Sequence, residues 1–187
     1  MADVMDEKPQ LIEVNEDQPR ARQRNVLAGI SFAAATAGVA ALGVYAMRGR
    51  GNPKGPWFRM LRKPTWQPSN QVFGPVWTAL YATLAYSGYR IWKAPVSRKR
   101  SIALGLWATQ LALNGAWTPL FFGARRPVIA LADIIALDAA SLAYSVVASR
   151  VDKPAAGLVV PYLGWLGFAT ALNAKIVANN PSFMLKR

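Results

Sequence analysis

The chain contains no cysteine and no histidine in its 187 residues. Without them there is no disulfide, thiol nucleophile, Cys/His zinc site, axial histidine for haem or histidine-based triad, and most enzyme classes fall away. Acid is scarce too, with nine Asp+Glu against 22 Lys+Arg and a net charge of +13. Six of the nine (Asp3, Asp6, Glu7, Glu13, Glu16, Asp17) lie within the first 17 positions, so from Arg20 onward three acids face 21 bases. The bases sit in short clusters between apolar runs and do not line one amphipathic face. That pattern fits lipid headgroups and argues against nucleic acid. The Gly-containing turns show no phosphate-loop spacing.

What is abundant is apolar surface: 53% of residues are hydrophobic and 17% charged, a membrane-like balance. Residues 1–25 are polar, include Pro9 and Pro19, and read as a loosely ordered tail, with acids where a secretory signal would carry bases. Val26–Met47 then runs 22 residues without a charge. At ~1.5 Å per residue that crosses a hydrocarbon core of ~30 Å. Val72–Trp92, Ile102–Phe122, Pro127–Ser149 and Ala155–Ala178 are further spans. The expected fold is all-α, a polytopic bundle of five transmembrane helices over residues 26–178, followed by a short basic stretch at 179–187. Short turns at 93–101, 123–126 and 150–154 make sequential helices antiparallel neighbours. The loop Arg48–Gln71 alone is long enough to fold over the bundle mouth. Gly29, Ala33, Ala37 and Ala41 recur every fourth position and offer a ridge for close helix approach. Loop bases number nine on one side and ten on the other, so they set no orientation.

Seven tryptophans stand out. Trp57, Trp66 and Trp92 fall in a loop or at a span end, where indoles prefer headgroup depth. Trp107, Gln110, Asn114 and Trp117 follow i, i+3, i+7, i+10 and share one helical face, which must turn toward protein or water. Two roles stay open for it, interhelical hydrogen bonding and pocket lining. Trp77 and Tyr81 lie one turn apart on the second span, and Trp165, Phe168, Ala169 and Leu172 share a face of the fifth. Aromatic walls with a few polar groups suit a flat apolar ligand. Pro161 should kink the fifth span. Asp133 and Asp138 project about 140° apart at 100° per residue and cannot pair on one face. Asp133 has three readings: an interfacial acid at the positive end of its helix, a bundle hydrogen bond, or a ligand contact. Lys175 can snorkel.

Lys63-Pro64-Thr65-Trp66-Gln67-Pro68, Phe73-Gly74-Pro75-Val76-Trp77, Gln110 and Asn114 with Trp117, Phe121-Phe122-Gly123-Ala124-Arg125, and Pro161-Tyr162-Leu163-Gly164-Trp165 with Leu172-Asn173 together resemble the TspO/MBR family. Its members are called translocator proteins, tryptophan-rich sensory proteins or peripheral-type benzodiazepine receptors. The resemblance implies a five-helix homodimer in lipid that binds protoporphyrin IX or a related tetrapyrrole non-covalently, without covalent cofactor, metal or catalytic residue. It implies a receptor or regulator tied to tetrapyrrole metabolism and stress sensing, in a bacterial membrane or the mitochondrial outer membrane. Light- and oxygen-dependent porphyrin degradation and porphyrin or sterol transport are the alternatives it carries. The ligand-binding residues it implies are Phe73, Trp77, Asn114, Trp117, Asp133, Trp165, Phe168, Ala169 and Leu172, with Gly105 and Thr109 as a dimer contact. Ile129, Gly115 and Ser69 depart from the family pattern. So does Ala174, which stands in place of the tyrosine of the animal sterol-recognition stretch and argues against cholesterol.

Overall fold

The computed structural model describes residues 17–48 and 52–181. Its regular structure there is entirely helical: α1 (Asp17–Ala46), α2 (Pro56–Met60), α3 (Asn70–Lys93), α4 (Arg98–Thr118), a π-helical turn (Pro119–Gly123), α5 (Pro127–Ala148), α6 (Lys153–Gly157) and α7 (Val160–Asn179). Three stretches are long and apolar enough to cross a membrane by length and composition, namely Gln18–Ala46, Pro127–Ala148 and the α6–α7 stretch Lys153–Asn179. α3 and α4 match them in length with 24 and 21 residues but carry more polar side chains.

Several boundaries differ from the expected ones. α1 starts at Asp17, so residues 17–25 of the expected tail are helical; Gln18, Arg20, Ala21, Arg22 and Arg24 are good helix formers and carry the apolar rod outward. The rest of that tail, and residues 182–187 of the C-terminal stretch, lie outside the described residues. α4 starts four residues before Ile102 because Ser97 caps it, accepting from the Arg100 N–H at 3.2 Å. The fifth span is broken rather than kinked. Asp152 caps α6 through the Ala155 N–H at 2.7 Å, and Pro161 sits in the first turn of α7, where its missing N–H costs nothing.

α1 packs through its small ridge only at Gly29, beside Tyr89; Ala33, Ala37 and Ala41 are exposed. Its contacts run through Phe32, whose ring meets Trp107 edge-on at 4.8 Å, and Val39, against Gly115. At the end where α3 finishes and α5 meets α6, packing is closed. A side chain on Gly88 would place Cβ 2.6 Å from Trp107 Nε1 and 2.8 Å from Phe32 Cδ1, so glycine is what lets three helices meet. Trp107 Nε1 donates to the Leu84 carbonyl at 2.9 Å. Ser87 Oγ donates to the Ala155 carbonyl at 2.8 Å, which leaves Tyr144 Oη to donate to Ser87 at 2.6 Å. Arg90 clamps Asp152 with two bonds, Nε to Oδ1 at 3.1 Å and Nη2 to Oδ2 at 3.0 Å.

Candidate functional site

The other end of the bundle is hollow. A cavity of about 490 Å³ lies between α1, α3, α4, α5 and α7, beneath the loop that carries α2. Its walls are aromatic. Trp77 packs on Tyr81 at 5.4 Å and on Tyr162 at 6.4 Å, and Trp165 meets Phe73 edge-on at 5.6 Å. Trp117 stacks on Phe121 at 4.9 Å. The π turn delivers Phe121 and Phe122, because the bond from the Ala124 N–H back to the Pro119 carbonyl (2.7 Å) fits an extra residue into the turn.

Behind the indoles runs a ladder of buried polar groups. Tyr81 Oη donates to Asn114 Oδ1 (2.5 Å), Asn114 Nδ2 to Tyr162 Oη (2.9 Å), Tyr162 Oη to Gln110 Oε1 (2.9 Å), and Gln110 Nε2 to the Trp107 carbonyl (3.0 Å). The ladder fixes which way each carboxamide points. Asn114 therefore fills both roles left open by the sequence, bridging helices while lining the cavity. Trp117 Nε1 donates to Asn173 Oδ1 at 3.2 Å, and Asn173 Nδ2 to the Pro127 carbonyl at 2.9 Å. Two buried atoms of cavity-lining residues have no hydrogen-bond partner in the chain, Gln67 Oε1 and Trp165 Nε1. Buried polar atoms are rarely left so, and these two, an acceptor and a donor, belong to residues of one cavity wall.

The loop forms the roof. Phe58 packs against Phe121 and Phe122 at 6.3 and 5.3 Å, with the Lys63 ammonium 4.5 Å above its ring. Asn180 clasps the loop at Arg62 on both sides of one residue: its Oδ1 accepts from the N–H at 2.9 Å and its Nδ2 donates to the carbonyl at 3.0 Å. Beside the roof, a second space of about 360 Å³ shares Pro53, Phe58, Gln67 and Asn70 with the first and adds Lys54, Arg59 and Lys63. Burial and then the neighbouring Arg59 charge lower the Lys63 pKa below that of an ordinary lysine. An anion there would relieve both effects.

Seven of the nine residues expected to bind ligand line the cavity: Phe73, Trp77, Asn114, Trp117, Trp165, Ala169 and Leu172. Two do not. Phe168 forms an outer layer, 5.3 Å from Trp165 and 5.7 Å from Trp66. Asp133 lies in the second turn of α5, outside the lining, with one carboxylate oxygen buried and unpartnered. Its fellow acid Asp138 accepts from the Thr170 hydroxyl at 2.7 Å and is a bundle contact. Among the described residues no group of three or more His, Cys, Asp or Glu could hold a metal. Residue patterns gave no hint of the α1 contribution (Ala40, Gly43, Val44, Met47), nor of Phe58 and Asn70. The length of the loop was the signal that could have pointed to the last two.

The TspO/MBR family pattern matches residues 31–178. The chain is 43% identical to the translocator protein of Homo sapiens over 126 residues, 66% of this chain and 75% of that protein. It is 40% identical to the translocator protein of Ovis aries over 141 residues (74% and 82%) and 36% identical to the tryptophan-rich protein TspO of Chlorobaculum tepidum over 129 residues (67% and 80%). With its apolar helices and a family match that covers most of its length, the chain is a multi-pass membrane protein and belongs to the TspO/MBR family.

Proposed function

We propose that this protein is a membrane receptor or regulator that binds a tetrapyrrole of the protoporphyrin IX type, or a similar flat apolar molecule, in the cavity between its helices. The observation that carries the reading is the union, in one space, of an indole-rich wall, two unpartnered polar atoms and an adjoining cluster of three cations. Trp77 and Trp165 lie against the macrocycle, Trp165 Nε1 and Gln67 Oε1 bond to its polar atoms, and Lys54, Arg59 and Lys63 meet its carboxylates. A tie to tetrapyrrole metabolism and stress sensing follows from such a ligand. Five helices cross the bilayer in this reading. α3 and α4 join the three apolar spans because the polar Gln110 and Asn114 are buried (0% and 6% exposed) and spared contact with lipid. Gly105 and Thr109 lie exposed on α4, where a second copy packs in a homodimer.

The test is a dark titration of detergent-held protein with protoporphyrin IX, read by tryptophan quenching, for the parent and for Trp77→Phe/Trp165→Phe. Saturable quenching that the double substitution weakens about tenfold is the expected result, since each smaller ring gives up apolar contact area and Trp165 also gives up its N–H donor. Equal affinity in both proteins would sink the proposal.

A further inference from the structure

We infer that the cavity fills sideways, from the bilayer, through a gap between α1 and α3, and that its ligand is an amphipathic molecule travelling in one leaflet with its anionic groups at one edge. This rests on the binding reading above. α1 and α3 run antiparallel, touching at one end and parting at the other. Where α1 begins and α3 ends, Gly29 abuts Tyr89 and Phe32 closes on Gly88. Toward the roof, Gly43 and Val44 of α1 and Gly74 and Thr78 of α3 line the cavity instead. A Cβ on Gly74 would meet no atom within 4 Å.

Val44, Gly74 and Thr78 are also exposed, and residues that line a cavity while lying on the outer surface mark its opening. Val44 belongs to the apolar stretch Gln18–Ala46, so that opening faces hydrocarbon. Asn70, in line with Gly74 and Thr78 on α3, lines the cavity and is exposed in the same way, so the opening runs up to the roof's edge. The roof itself is held down: Phe58 and Leu61 are 7% and 4% exposed, and Asn180 holds Arg62 by both its N–H and its carbonyl. The Lys54, Arg59 and Lys63 cluster adjoins the roof end of the cavity. A charged edge can therefore ride among these cations at headgroup depth while the apolar body slides between the helices.

The absence of native cysteine makes the test clean. In proteoliposomes loaded with protoporphyrin IX as the probe, Val44→Cys/Gly74→Cys is bridged with a reducible bismaleimide and uptake is followed by porphyrin fluorescence. A gate slows entry and exit together, so association and dissociation rates should each fall about tenfold, within the one to three decades that on-rates span among variants of one site, and recover on reduction. Gly74→Trp should slow entry without a linker. Gly38→Trp, in equally open space outside the cavity lining, should not. Asn180→Ala, which frees the roof, should leave entry within about twofold of the parent. Loading of the bridged protein at the parental rate, or faster loading of Asn180→Ala, would overturn the lateral route alone. Absence of saturable binding in the unbridged parent would overturn the binding reading itself.

Discussion

The two ends of this bundle use the same kinds of residue to opposite effect. At the end where α3 meets α6, an indole, a tyrosine and a serine are packed until Leu84, Ile91, Ala103 and Tyr144 have no exposed surface, and the indole N–H and both hydroxyls are bonded within the chain. At the roofed end, three indoles, a tyrosine and three asparagines surround open volume, and a donor and an acceptor are left over. Aromatic content does not separate a core from a binding site. Open volume walled by residues with unpaired polar atoms does.

Substitutions should act at one end and spare the other. The largest loss of stability is expected from Gly88→Ala, which pushes a methyl into Trp107 and Phe32; overpacking of this kind costs about 1–3 kcal/mol, read as a lowered unfolding temperature in detergent. Gly74→Ala, with nothing within 4 Å, should leave that temperature unmoved. An equal response to both would erase the distinction between the ends. Ser87→Ala strips the Ala155 carbonyl and Tyr144 hydroxyl of a partner and should cost about 1–3 kcal/mol without altering porphyrin affinity, checked by pairing the melt with the titration. Trp165→Phe should do the reverse, lowering affinity while the melt stays within about 0.5 kcal/mol, since its N–H gives up no bond inside the chain.

The smallest effect concerns pH. Burial raises the Asp152 pKa, but the Arg90 hydrogen bond, the Ala155 N–H and the Arg90 charge outweigh it and hold the carboxyl below its ordinary 3.8. A lowered folded-state value means that the pair stabilises fully above pH 3.8 and that this contribution is lost as pH falls through the folded value. Arg90→Gln should flatten the acid side of a stability–pH curve. The effect is slight, because the two side chains remain 32% and 19% exposed.

Much of this was legible beforehand, for physical reasons. Spans show themselves as long apolar runs, and Pro127–Ser149 differs from α5 by a single residue. The i, i+3, i+7, i+10 spacing turned Gln110 and Asn114 inward because a carboxamide has no partner in lipid. Where a polar stretch is itself a good helix former, as at residues 17–25, hydropathy could not find the helix start. Ala40, Gly43 and Val44 were invisible as lining because a cavity wall of small apolar residues looks like any lipid-facing turn. The acid at 133 kept three readings for a related reason: a charge within a span demands a partner or an explanation, yet composition does not say which side of the helix provides it.

The π turn at Pro119–Gly123 has a consequence for sequence change along the chain. A regular α-helix advances about 100° per residue, so the turn holds one more residue than regular winding would allow. Deleting one residue there would let α4 continue in register and swing Phe121 and Phe122 away by about that angle, exchanging two walls of the cavity for outward-facing rings. This short segment should therefore tolerate conservative replacement of its side chains but not a change in its length, the inverse of what is usual for a helix end.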